Sequence, residues 1–261
     1  MAFPQTERVI YEKNILEEVG CQIRFPPILG IEASAPAAFQ ETVRSAFPYF
    51  ELKTSVTLPT GVPSPIAEVV KRDLSLVGSK SFVFSSEDRL LTLALSKDGL
   101  SLGSRRYERW EPFREHLRQA IESVAKIYRP SFYTHTCVRY KNSVRREPLG
   151  LADAPWSAIL QPWVSGPLET PEAADAVEAL QNRCVIQLPN SRGKVDAGFS
   201  LGMHQPSKER AFIIETHVFN DSRKELSDVL PCLDDLHAQA GLFFRWCIKD
   251  QLHWAMRPAA V

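Results

Sequence analysis

Three runs of alternating character stand close together: "SFVFS" (Ser81 to Ser85), "RLLTLALS" (Arg89 to Ser96) and "LSLGSRRY" (Leu100 to Tyr107). Only the turn residues "SED" and "KDG" part them. Period-two alternation buries one face of a strand, and connections this short leave room only for hairpins, so the stretch must fold as an antiparallel meander. A helix follows over about Glu108 to Ile127. Trp110, Phe113, Leu117, Ile121 and Val124 fall three or four apart, while Arg114, Glu115, Arg118 and Glu122 take the other faces. "SFYTHTCVRYKNSV" (Ser131 to Val144) then returns as a strand.

The same order recurs downstream. "CVIQLP" (Cys184 to Pro189), "VDAGFSLGM" and "AFIIETHVF" (Ala211 to Phe219) read as strands; in the second, Val195, Ala197, Phe199, Leu201 and Met203 alternate with polar or small residues. A long terminal helix spans about Leu226 to Met256 with the stripe Leu233, Leu236, Ala240, Phe243 and Cys247, and Pro231 is the point where it could break. Elsewhere, Ile15 to Phe25 reads as a strand stopped by Pro26-Pro27, and Pro36 opens a short helix with Phe39, Val43 and Phe47 on one face. Glu51 to Leu58 reads as extended, Pro59 to Pro65 as a Pro-rich loop, and Pro171 to Gln181 as a short helix with the stripe Ala174, Val177 and Leu180. The expected fold class is α+β: two similar halves, each an antiparallel β-meander covered by a long amphipathic helix. One compact domain, 1–261, is expected, with halves of about 1–148 and 149–261.

Charge narrows the partners. The 31 basic residues balance the 31 acidic ones, so no whole-molecule field draws the chain to nucleic acid or an anionic membrane. The balance is uneven, because Ser101 to Gly150 carries eleven Lys and Arg against five Asp and Glu. Cys21, Cys137, Cys184, Cys232 and Cys247 are odd in number, widely spaced and form no CxxC pair, which points to reduced, buried thiols and a cytoplasmic location. The opening "MAFPQTERVIYEKN" has no basic segment leading into an apolar one, so no signal peptide is expected, and no apolar run approaches the roughly 18 residues of a membrane span.

Catalytic constellations are missing from the pattern. There is no GxSxG elbow, no phosphate-binding glycine loop and no HExxH among His116, His135, His204, His217, His237 and His253. Glu215 and His217 share one side of a strand, as do His135 and Cys137, so neighbouring strands would gather them; His135, Glu215 and His217 are the only metal candidates, but the favoured reading is that they are ordinary residues of a solvated sheet face, and no metal is expected. No cofactor is expected. Asp228, Asp234 and Asp235 lie early in the terminal helix, where the macrodipole favours negative charge, and capping electrostatics accounts for them.

The basic cluster is the main binding candidate. Arg105, Arg106 and Arg109 lie where the meander meets its helix, and Arg139, Lys141, Arg145 and Arg146 lie along and after the next strand. Pairing of that strand with the one ending at Arg106 would make a groove of guanidinium groups beside Tyr107 and Tyr140. Such a groove suits an acidic protein surface or an anion bearing a planar ring. Trp110, in register with Phe113 and Leu117, is expected in the core.

"YEKNILEEVGCQIRFP", "FQETVRSAFP", "RYERWEPFREHL", "CVRYKNSV" and "DDLHAQAGLFFRWCI" together resemble a sporadically distributed bacterial family of similar length, for which no reaction, cofactor or ligand is established. The resemblance covers essentially the whole chain. The family's usual opening "NPI" stands here as Asn14-Ile15-Leu16. Its "RYxN" element, a hallmark of the family, is Arg139, Tyr140 and Asn142. The resemblance implies a bacterial cytoplasmic protein of one domain, and the family's patchy distribution implies an accessory or defence-type gene module.

The functional expectation is a non-catalytic binding or adaptor protein. It would engage a protein partner through Arg105, Arg106, Tyr107, Arg109, Arg139, Tyr140 and Asn142. The alternative is a sensor or enzyme for a small phosphorylated or nucleotide-like anion held between the halves. Nucleic acid and membrane are not expected partners, and the pattern carries no signal for oligomeric state.

Overall fold

The computed structural model describes residues 3–55, 79–205 and 207–260. In chain order the elements are β1 (Val9–Tyr11), β2 (Leu16–Arg24), α1 (Gly30–Ala33), α2 (Ala37–Val43), β3 (Tyr49–Ser55), β4 (Ser79–Ser85), β5 (Leu91–Ser96), β6 (Gly99–Ser104), α3 (Trp110–Tyr128) and β7 (His135–Arg145). There follow three single-turn helices, α4 (Trp156–Ile159), α5 (Pro162–Ser165) and α6 (Pro171–Ala174). Then come β8 (Leu180–Gln187), β9 (Lys194–His204), β10 (Glu209–Asn220), α7 (Leu226–Cys247), α8 (Asp250–Ala255) and β11 (Pro258–Ala260). The Pro-rich stretch Pro59 to Pro65 and the end of the extended run before it lie outside the described residues.

An antiparallel sheet of nine strands, ordered β3-β4-β5-β6-β2-β7-β10-β9-β8, dominates the chain, so the class is α+β. The meander β4-β5-β6 forms as the alternation requires. Strand β6 does not pair with β7: β2 lies between them, held by β6 on one side and β7 on the other. Local pattern could not place β2, since a strand contributed from far upstream in sequence can insert at any free edge. Asn14 starts it, because its Oδ1 accepts the Leu16 N–H at 2.9 Å and turns the chain into the strand.

One face of the sheet is apolar throughout. Leu93, Leu102, Cys21, Val138, Val218 and Val195 run across it from β5 to β9, all buried, and α3 and α7 cover it with Phe113, Leu117, Ile121, Leu233, Leu236 and Phe243. The opposite face carries Gly20, Arg139, His217 and Asp196 in one cross-strand row and Glu18, Lys141, Glu215 and Gly198 in the next. Strand β1 pairs with β11, forming a separate two-stranded ribbon that ties the N-terminal segment to the end of the chain.

Two expectations for helices are corrected. The helix of Pro171 to Gln181 is one turn only, and Leu180 already begins β8. Its stripe meets too little apolar surface: Ala174, Val177 and Leu180 stay partly exposed, and the Arg210 guanidinium takes the Val177 carbonyl that a helix would have used. The terminal helix does not break at Pro231 but at Ile248, which is extended, fully buried and bridged to Leu160. Among the described residues no helix is long and apolar enough to cross a membrane.

Candidate functional site

Helix α3 begins at the strand–helix junction, and its first residue, Trp110, points into the space beneath α7. The indole is buried as its spacing required, yet it is more than core. Its Nε1–H donates to Asp234 Oδ1 at 2.8 Å, and its ring stacks on the His237 imidazole with centroids 4.4 Å apart and planes 7° from parallel. Arg114, one turn along α3, grips the same carboxylate with Nε and Nη2 at 2.7 and 2.9 Å. Burial would raise the Asp234 pKa, but the hydrogen bonds from Arg114 and Trp110 outweigh it and hold the carboxyl below its usual value. Asp234 is therefore a clasp between the two long helices, which corrects its assignment to helix capping. Asp235, its neighbour, points elsewhere and meets Arg192 at 3.6 Å.

Tyr140 rises from the centre of the sheet to the same place. Its hydroxyl lies 2.7 Å from His237 Nδ1, and the Tyr107 ring from the β6–α3 connection stands edge-on to it with centroids 6.2 Å apart. The alternation of β7 puts Asn142 beside Tyr140 and sends Arg139 to the other face, so the RYxN element is divided by the sheet. These groups line a cleft of about 150 Å³ together with Arg8, Asn14, Arg109, Thr216, Gly241 and Phe244. Its floor holds a buried polar group without a partner. The Thr216 hydroxyl makes no hydrogen bond among the described residues, and the side chain of Asn142, which is 7% exposed, lines the same cleft. Arg8 and Arg109 stand at the rim against the Glu111 carboxylate, and Glu108 lines it beside them.

The interior of the cleft is neutral. Burial pushes the phenols of Tyr107 and Tyr140 well above their ordinary values. Burial, assisted by the positive charge of Arg8, lowers His237 to about 4. Neither partner of the Tyr–His pair is thus poised near neutrality for proton transfer, and Cys21 beneath them is fully buried with its pKa raised by burial, which leaves no activated thiolate. The arrangement can hold a ligand by stacking and neutral hydrogen bonds.

A pH dependence follows from the buried imidazole. Between about pH 6.5 and about 4 the unfolded chain holds the His237 proton and the folded chain does not, so this contribution to stability is complete above the window and is lost as pH falls through it. His237→Gln is expected to flatten the loss by up to about 3 kcal/mol, read by urea unfolding at stepped pH. An unchanged slope in that variant would contradict the neutral assignment.

The remaining sequence candidates lie elsewhere. Arg105 is exposed and among the described residues its side chain reaches only the Arg89 carbonyl, at 3.4 Å; Arg106 and Arg109 make loose ion pairs of 3.8 and 3.9 Å with Glu108 and Glu111. Because β2 separates β6 from β7, Arg139 does not join them in one groove; it faces a second, wider groove of about 780 Å³ lined also by Lys141, Arg183, Asp196, Glu215 and His217. At one end of that face His135, Cys137 and His217 come together, each offering one ligand atom within 4.8 Å of the others. Glu215 faces Lys141 in register and is outside this trio. Burial and then the charge of Arg139 lower the His217 pKa to about 4, and burial raises Cys137 to about 11.

Sequence reasoning gave no binding role to Arg8, Asn14, Thr216, Asp234 or His237. The one available signal was His237 itself, a polar residue four after Leu233 and three before Ala240 on an otherwise apolar stripe. Comparison with models of known families and with curated proteins finds no match.

Proposed function

We propose that the protein is a binding protein for a small planar anion, with one ring held in the cleft between α7, the β6–α3 connection and the centre of the sheet. The observation that carries this reading is the cleft floor, where the buried Thr216 hydroxyl faces an aromatic enclosure without a partner and the Asn142 side chain lines the same space. Buried polar groups need partners, and a ligand heteroatom would supply them. The volume suits one ring, since an apolar cavity of roughly 150 Å³ holds a benzene molecule. Arg8 and Arg109 at the rim, paired with Glu111 in the free protein, offer guanidinium groups to a carboxylate or phosphate projecting from that ring.

The cleft lies where the two parts of the chain meet. On the reading that the chain is one domain of two similar halves, β2, β6, β5 and β4 with α3 correspond to β7, β10, β9 and β8 with α7, which moves the division from about residue 148 to before β7. The outward strand order from the central β2–β7 pair supports it. The ligand would then bind at the junction of the halves, and the Tyr140 and Asn142 of the RYxN element, the family hallmark in the resemblance, would be binding residues.

Thermal unfolding in the presence of single-ring carboxylates and nucleobase monophosphates tests the proposal. A millimolar ligand is expected to raise the midpoint, because it binds only the native state; no shift with any ring-bearing anion would count against it. The exposed, loosely paired Arg105 and Arg106 support a second reading, docking of an acidic protein partner on the adjoining surface. The double variant Arg105→Glu/Arg106→Glu separates the two, since neither residue lines the cleft and ligand binding should survive it.

A further inference from the structure

We propose that His135, Cys137 and His217 bind a divalent transition-metal ion of the zinc class on the sheet face opposite the helices, with a further coordination position directed to the wide groove. Two imidazole nitrogens and one thiolate are the donor set of a borderline-soft ion and not of calcium or magnesium, which take oxygen ligands. The three residues sit on adjacent strands whose register fixes them: His217 is opposite Arg139, and Cys137 is opposite Phe219. Their ligand atoms already lie within 4.8 Å of one another. Tetrahedral coordination, with metal–nitrogen bonds of about 2.0 Å and metal–sulfur bonds of about 2.3 Å, asks only for a small inward turn of the side chains.

Two independent features point to a ligand here. The Nε2 atom of His217 is buried and without a partner among the described residues. The Nδ1 atom of His135 lies 2.6 Å from the Asp221 carboxylate, which orients the ring and leaves Nε2 free, as a carboxylate behind a metal-bound histidine does. Charges facing the trio are mixed. Arg139 and Arg24 favour the Cys137 thiolate, while at His217 the charges of Arg139 and His135 act ahead of the opposing Asp196 and Asp221. On binding, a metal–sulfur bond replaces the Cys137 S–H bond, and the proton passes to solvent. Of the three, His217 also lines the wide groove, and a fourth ligand would enter from that side.

Cobalt(II) titration of the full chain, freed of metal by a chelator, tests the assignment. Stoichiometric binding with a thiolate-to-cobalt charge-transfer band is expected. Cys137→Ser should abolish the band, His217→Gln should weaken binding at least about 100-fold, and Asp221→Asn should weaken it roughly 10- to 100-fold, with circular dichroism unchanged in each. Four other cysteines are present, so a band that survives Cys137→Ser would overturn the proposal, as would the absence of any band in the wild type.

Discussion

Trp110→Ala is expected to lower the unfolding free energy by about 3–5 kcal/mol, the range for removing a buried large aromatic side chain. The residue is 4% exposed, packs on Phe113 at 5.9 Å between centroids, stacks on His237 and donates to Asp234. Alanine keeps none of these contacts. It leaves a cavity at the start of α3, removes one donor from the Asp234 clasp and opens the wall of the cleft. For a chain of this size the thermal midpoint should fall by about 10 °C. Trp110→Phe keeps most of the packing and loses the N–H donor, at about 1 kcal/mol. Denaturant unfolding of both variants reads the difference; a loss under about 1 kcal/mol for alanine would mean that Trp110 does not join the two helices.

Gly193→Ala should be at least as damaging, for a backbone reason. Gly193 enters β9 at φ +130°, a conformation that side-chain-bearing residues rarely adopt, and an added Cβ would stand 2.0 Å from the Phe219 carbonyl oxygen. That oxygen belongs to β10, which is paired along its length with β9. The turn cannot easily yield, because Asn220 holds it by donating to the Ser191 and Arg192 carbonyls at 3.1 and 3.0 Å, and Gly193 itself accepts from the Leu188 N–H at 2.9 Å. Strain together with a displaced strand pair should cost about 3 kcal/mol or more. Soluble yield and thermal midpoint measure it, and an alanine variant as stable as the wild type would contradict the turn geometry.

The parts of the fold that were legible are those written in local period. Leu117 and Ile121 mark the buried stripe of α3, Phe82 and Phe84 the core side of β4, and Phe199 and Leu201 that of β9, because each face repeats at its own spacing. Met203 continues the alternation of β9 but is 52% exposed, since the cover given by the helices ends before it. Order across the sheet was not legible. Nothing near Leu16 or His135 says that β2 inserts between β6 and β7, and that insertion decides where the arginines go. Tyr140 and Asn142 could be assigned to one face from their spacing, but the groups they meet, His237 and Thr216, come from strands and helices chosen by tertiary packing. Asp234 shows the same gap: helix position alone explained its charge, while its partners Trp110 and Arg114 are more than a hundred residues away, separated from it by 124 and 120 positions.

Calorimetric titration of wild type and Gly241→Leu with the ring-bearing anion that shifts unfolding most tests ligand binding in the cleft directly. Gly241 lines the cleft from an exposed turn of α7, and a Cβ there meets nothing within 4 Å, so leucine extends into the ligand's space without disturbing the core. Leucine also favours the helix over glycine by about 0.8–1 kcal/mol. The expected result is at least tenfold weaker binding, about 1.4 kcal/mol, in a variant as stable as the wild type or more so. Equal affinity in the two proteins would place the ligand elsewhere and contradict the assignment of the cleft.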